Sequence, residues 1–144
     1  MLKAELDNIA VSGDGTVFLA LLKTDTGDVV PIAIDALQAR SIAMGQNETE
    51  FDRPLTHDLA LSIIDILNGK LSRVEISELK DEVFFAKLII ENRGIEFEID
   101  ARPSDALALA VRVDADIYVA EDIIEDVAFI EDDLEGIGGP NVEA

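Results

Sequence analysis

The chain has 144 residues, 49% of them hydrophobic, and carries 31 acidic against 11 basic side chains for a formal net charge of −20. That apolar content supplies one core of ordinary domain size, and the lack of any cysteine excludes disulfides, thiolate metal sites and cysteine nucleophiles. No run approaches the ~18 consecutive apolar residues of a membrane helix, and Met1-Leu2-Lys3-Ala4-Glu5 lacks the apolar centre of a signal peptide, so a cytoplasmic location away from the membrane is expected.

In chain order, Lys3–Val11, Thr16–Lys23 and Val29–Ile34 read as three strands joined by tight turns at Gly13-Asp14-Gly15 and Thr26-Gly27-Asp28. From Asp35 the pattern changes to helical, with Leu37, Arg40 and Met44 in phase, Asp35 as N-cap, and Gly45 and Asn47 near the end. A second helix is expected over Thr56–Asn68, capped by Thr56 and stopped at Gly69, with Leu59, Ile63, Ile66 and Leu67 as its apolar stripe. A second meander follows: Leu71–Leu79, Val83–Glu91 and Ile95–Ala101. In its last strand Ile95, Phe97 and Ile99 should face the core, with Glu96, Glu98 and Asp100 facing water. Val83–Ile90 is apolar on both faces, which asks for a second layer and so for self-association. Ala106–Val113 is apolar all round and reads as a buried helix, Asp116–Ala120 as a short strand and Glu121–Phe129 as a last helix. The expected class is therefore α+β, with two antiparallel β-meanders and three to four helices in one domain over 1–130, and an acidic, Gly-rich flexible tail over 131–144.

The acids are dispersed over nearly every segment, so they coat a folded surface rather than form a tail. Such a surface repels itself at low salt and is relieved at ~1 M salt, where the screening length falls to about 3 Å. A halophile's protein is the expectation; an acidic surface that mimics nucleic acid or docks a basic partner is the alternative.

Phosphate-binding glycine loops, nucleophile elbows, zinc-protease helices and calcium loops are all absent from the sequence. What stands out is Arg-Pro, then a hydroxyl residue, then an aspartate, at the mouths of two helices: Arg53-Pro54-Leu55-Thr56-His57-Asp58 and Arg102-Pro103-Ser104-Asp105. Proline, a hydroxyl and an acid make a good helix start, so capping alone accounts for the pattern. If the two starts meet, Arg53, Arg102, Thr56 and Ser104 would bind phosphate. His57, the only histidine, would then serve as acid or base with Asp105 and Asp100 beside it, and Asp58, Asp100 and Asp105 would supply oxygen ligands for Mg²⁺ or Mn²⁺. No organic cofactor is indicated. The alternative is a non-catalytic oligomeric module that binds a small anionic ligand or a protein at the same place.

These segments, with Val30-Pro31-Ile32-Ala33-Ile34, Ser77-Glu78-Leu79-Lys80-Asp81, Phe84-Phe85-Ala86 and Ile99-Asp100-Ala101-Arg102-Pro103-Ser104-Asp105-Ala106, resemble the bifunctional nuclease domain family in order and over nearly the whole chain. The resemblance implies an α+β fold, a homo-oligomer, here favoured as a dimer, and for some members nuclease activity on both RNA and DNA. One local departure is the acidic stretch Gly45–Asp52, which a polyanion would have to pass.

Overall fold

The computed structural model describes residues 1–130; the tail expected over 131–144 lies outside the described residues. Within them the chain is a single α+β domain of eight strands and four helices. Its elements are β1 (Leu2–Val11), β2 (Phe18–Thr24), β3 (Asp28–Ile34), α1 (Ala36–Gln46), α2 (Thr56–Ile66), β4 (Lys70–Lys80), β5 (Val83–Asn92), β6 (Ile95–Ala101), α3 (Pro103–Val113), β7 (Asp116–Val119), α4 (Glu121–Val127) and β8 (Phe129–Ile130). The two meanders are not separate sheets. β7 pairs parallel with β4 and antiparallel with β1, which joins everything into one mixed sheet of order β6-β5-β4-β7-β1-β2-β3-β8.

One apolar cluster joins the helices to the sheet: Ala39 and Ile42 of α1, Ala106–Ala110 of α3 and Ile123 of α4 pack on Ile9, Leu22, Ile32, Val74, Ile76, Ala86, Leu88 and Ile90. In β1 a bulge between Leu6 and Asn8 resets the alternation, so that Ala4 and Leu6 before it and Ile9 after it all reach this cluster. The helix expected over Glu121–Phe129 ends at Val127 instead. Phe129 leaves it to pair with Val29 as β8 and to pack on Ala10, Leu21 and Val29 in a second, small cluster.

Two expectations about apolar stripes are corrected. Ile95, Phe97 and Ile99 sit opposite Asn92, Ile90 and Leu88 in register, yet β6 is the edge strand and these three are 45 to 59% exposed. In α2 the face that packs on the core is Ala60, Leu61 and Ile64, while Leu59, Ile63, Ile66 and Leu67 point outward at 49 to 78% exposure. On the far face of β5, Ile89 is 1% exposed: it sits opposite Arg73 of β4 and Glu98 of β6 in register, and Arg73 reaches across to Glu96 at 2.8 Å, whereas Val83 and Phe85 stay exposed. The stem of an arginine covers apolar surface while its head stays wet.

Gly45 lies in the last turn of α1, near its end as expected. A Cβ there would meet Val111 Cγ2 and Arg112 Nη1, each at 2.8 Å, so the missing side chain sets how closely α1 approaches α3. Gly45→Ala gains about 1 kcal/mol of helix propensity, but overpacking against a branched side chain costs about 1–3 kcal/mol. A net loss of stability is expected in urea unfolding; a stabilised variant would show that α1 and α3 can part without cost.

Candidate functional site

The site lies where α1, α2 and α3 meet. Asp105 and Arg112 are seven residues apart on α3, two helical turns along one face, about 10 Å. The first turn of α2 lies across that face and sets His57 against Asp105 and Asp58 against Arg112. α2 starts after Leu55, with Thr56 its first helical residue rather than its cap. The Leu55 backbone N–H donates to Asp58 Oδ2 at 2.9 Å, which ties the entry of the helix to its own first turn. By contrast Asp35 caps α1 as expected, accepting from the Gln38 backbone N–H at 2.8 Å.

His57 is held from both sides. Its Nε2 is 2.9 Å from Asp105 Oδ1 and its Nδ1 is 2.7 Å from Ser41 Oγ. Arg102 Nε donates to the other oxygen, Asp105 Oδ2, at 2.9 Å. Burial pushes the Asp105 carboxyl up, but its bonds to Arg102 and His57 together outweigh this and hold it below its ordinary value of 3.8. An ionised carboxylate only accepts, so His57 Nε2 carries a proton toward Asp105, and in the neutral ring Nδ1 accepts from the Ser41 hydroxyl. Because the folded value lies below the unfolded one, the stability that Asp105 lends is present above about pH 4 and is lost as the pH falls through the folded value.

Arg112 closes the network. It is 7% exposed, donates from Nε to Asp58 Oδ1 at 3.0 Å and from Nη1 to the Ala108 carbonyl at 2.7 Å, and its Nη2 lies 3.4 Å from Ser41 Oγ. Donors and acceptors thus run in one sense, from Arg112 through Ser41 and His57 to Asp105. Sequence reasoning missed both Ser41 and Arg112. Arg112 had a signal, as the one charge near the end of an otherwise apolar buried helix; Ser41, on a helix with no motif, had none.

The two Arg-Pro segments therefore meet at the His57–Asp105 bond. Arg102 joins them there, whereas Arg53 stands exposed before α2 with no polar partner among the described residues. Thr56 is exposed at the mouth of a groove. Ser104, expected to meet phosphate, is instead 5% exposed, and its Oγ has no partner. Asp100 is exposed on β6, opposite Lys87 in register. The three carboxylates expected as metal ligands do not form a set, because Asp58 is taken by Arg112 and Asp105 by His57 and Arg102. No three His, Cys, Asp or Glu side chains gather to hold an ion among the described residues, so this donor set does not fit a resident Mg²⁺ or Mn²⁺.

Beside His57 opens a groove of about 410 Å³, lined by Leu37, Arg40, Ser41, Met44, Phe51, Leu55, Thr56 and His57. A larger cleft of about 680 Å³ lies elsewhere. Glu5, Glu48, Asp114 and Asp116 line it with Lys3, which is paired with Asp116, so it offers little to an anion. No helix among the described residues is long and apolar enough to cross a membrane.

Comparison with known proteins adds a family to this geometry. The model of the bifunctional nuclease domain matches residues 20–132, which include α1, α2, α3 and both Arg-Pro segments. Uncharacterized proteins from two strains of Mycobacterium tuberculosis are 40% identical over 105 residues, which is 72% of this chain and 62% of theirs. Bifunctional nuclease 1 of Arabidopsis thaliana is 25% identical over 101 residues, 68% of this chain and 31% of that protein. These relatives give the expectation of a halophilic origin no support, and it rests on acidity alone. The match covers the three helices that build the His57 network and the strands beneath them, and the chain belongs to the bifunctional nuclease domain family.

Proposed function

We propose that the chain cleaves phosphodiester bonds in RNA or DNA at the groove beside His57, working in the cytoplasm as a homodimer. The observation that carries this reading is the bond between His57 of one Arg-Pro segment and Asp105 of the other, at the edge of an open groove. The family's description and the name of the plant relative support the reaction class. In chemical terms, a water in the groove attacks phosphorus while it hands its proton to Ser41 Oγ and Ser41 passes its own to His57 Nδ1; the bond from phosphorus to the leaving oxygen breaks, and the Asp105 carboxylate stabilises the imidazolium. The leaving oxygen takes a proton back by the same route. Arg102 keeps its terminal nitrogens for phosphate while Nε holds Asp105, and Arg53 and Arg40 add charge at the rim. Mg²⁺ or Mn²⁺ enters this reading only as a companion of the substrate's phosphates. The test is cleavage of end-labelled RNA and DNA by the full chain and by His57→Ala, with and without a chelator. Undiminished cleavage by the variant sinks the reading.

A non-catalytic module that binds a small anion is the second reading, and one observation favours it: both ring nitrogens of His57 are already engaged. It predicts a rise in melting temperature with a phosphorylated small molecule and no turnover.

The homodimer is supported by the outward stripe of α2 and the exposed row of β6, which adjoin. Asn92 Nδ2 donates to the Leu67 carbonyl at 3.3 Å, and Asn92 is the register partner of Ile95. The acidity supports adaptation to high salt. Melting temperature is expected to rise steeply from about 0.1 to about 1 M KCl as the screening length falls from about 10 to about 3 Å. A flat or falling curve would remove halophily from the reading.

A further inference from the structure

The groove beside His57 has walls that proton transfer does not use. Leu37 and Phe51 are exposed large apolar side chains on this groove, and Met44 and Leu55 line it with them. Arg40, also on the groove, makes no ion pair or hydrogen bond among the described residues, and neither does Arg53, in the segment between Phe51 and Leu55. An aromatic side chain, aliphatic neighbours and the unpaired guanidinium of Arg40 within one groove, with Arg53 close by in the sequence, match a flat, uncharged ring attached to an anion. A nucleobase with its phosphate has this form: the base stacks on the aromatic ring, and the arginines meet the phosphate. The groove's volume, about 410 Å³, lies at the small end of the range for ligand pockets, about 300–1,000 Å³, as fits one nucleotide rather than a length of duplex. A base inside a duplex is stacked on both sides and cannot offer its face to Phe51.

We propose that the groove between α1 and the Phe51–Leu55 segment is a nucleobase subsite that takes one unpaired base of single-stranded nucleic acid, stacked on Phe51 with its phosphate at Arg40. This rests on the reading of the site as one that handles nucleic acid, but it concerns binding and not cleavage. Exposed Leu37 and buried Met44 line the same groove, and neither selects a base by hydrogen bonding. The subsite therefore distinguishes unpaired from paired strands rather than one sequence from another. Glu50 and Asp52 flank Phe51 in the sequence and are exposed, so affinity depends on the stacking contact more than on long-range attraction.

The test uses the full chain and fluorescence anisotropy with a labelled oligonucleotide in four forms: single-stranded RNA, single-stranded DNA, the same DNA as duplex, and a DNA strand whose sugars lack bases. Single strands are expected to bind at least tenfold more tightly than the duplex or the base-free strand. Phe51→Ala should weaken single-strand binding on the order of tenfold while leaving binding of the base-free strand unchanged. Phe51→Trp should retain binding. Because the chain has no other tryptophan, its emission should be quenched by single strands and not by duplex. Equal affinity for duplex and single strand, or Phe51→Ala binding single strands like the parent, overturns the proposal. The two readings fail separately: tight, Phe51-dependent binding without cleavage sinks the nuclease and keeps the subsite, and His57-dependent cleavage indifferent to Phe51 does the reverse.

Discussion

Replacing His57 by alanine is expected to lower the rate of phosphodiester cleavage by about 10²- to 10⁴-fold, the usual contribution of a positioned acid–base group, with the fold intact by circular dichroism. The ring is partly exposed and its removal leaves a space open to the groove, so packing loses little. Asp105→Asn is the more telling change. An asparagine keeps the shape and can still accept from Nε2–H, but it carries no charge to stabilise the imidazolium, and its amide can turn to present N–H to the ring instead. The rate should fall by a similar factor, with binding of the oligonucleotide much less affected, because the carboxylate faces His57 and Arg102 rather than the groove. Activity that survives both substitutions would move the chemistry elsewhere in the molecule. Full activity in Asp105→Asn with loss in His57→Ala would keep His57 and remove its orienting partner.

The second large effect is on assembly. Leu59, Ile63, Ile66 and Leu67 of α2 and Ile95, Phe97 and Ile99 of β6 form an apolar face on a protein of net charge −20. A stable interface covers roughly 800 Å² per partner, and these seven exposed side chains are the apolar surface the chain offers to one. A second copy brings the same uncharged row, whereas a basic partner would find no acids within it. Phe97→Glu or Ile63→Asp is therefore expected to convert the proposed dimer to monomer in sedimentation equilibrium, and to abolish the dependence of melting temperature on protein concentration. Neither residue packs inside the monomer's core, so secondary structure should persist. A parent chain that sediments as a monomer at high salt and micromolar concentration would refute the dimer.

Much of the fold was legible in local pattern. Turns at Gly13–Gly15, Thr26–Asp28 and Asn92–Gly94 delimit strands because Gly15, Gly27, Arg93 and Gly94 occupy left-handed backbone, which glycine adopts freely. Asp35 announced α1 because its carboxylate satisfies a free N–H of the first turn, an interaction within four residues. Joining the two meanders into one sheet was not legible, since the parallel pairing of β4 with β7 connects residues some forty positions apart and leaves no periodic trace.

The site divides in the same way. By itself the sequence determined that two Arg-Pro helix starts exist and that His57, Asp58 and Asp105 are the acid–base groups within them. It also determined that no thiol takes part, because residue identity alone carries this information. Only the tertiary structure decided that these starts meet, that Ser41 and Arg112 complete their network, and that Asp58 and Asp105 are taken by Arg112, His57 and Arg102 while Asp100 stands exposed on β6. It likewise decided that α2 packs by Ala60, Leu61 and Ile64 while its larger apolar stripe stays open. Periodicity shows that a helix has an apolar side but not which neighbour arrives to cover it. Here α3 approaches from the side that brings Asp105 and Arg112 onto His57 and Asp58, and the hydrogen bonds formed there fix the helix with its longer hydrophobic row facing out.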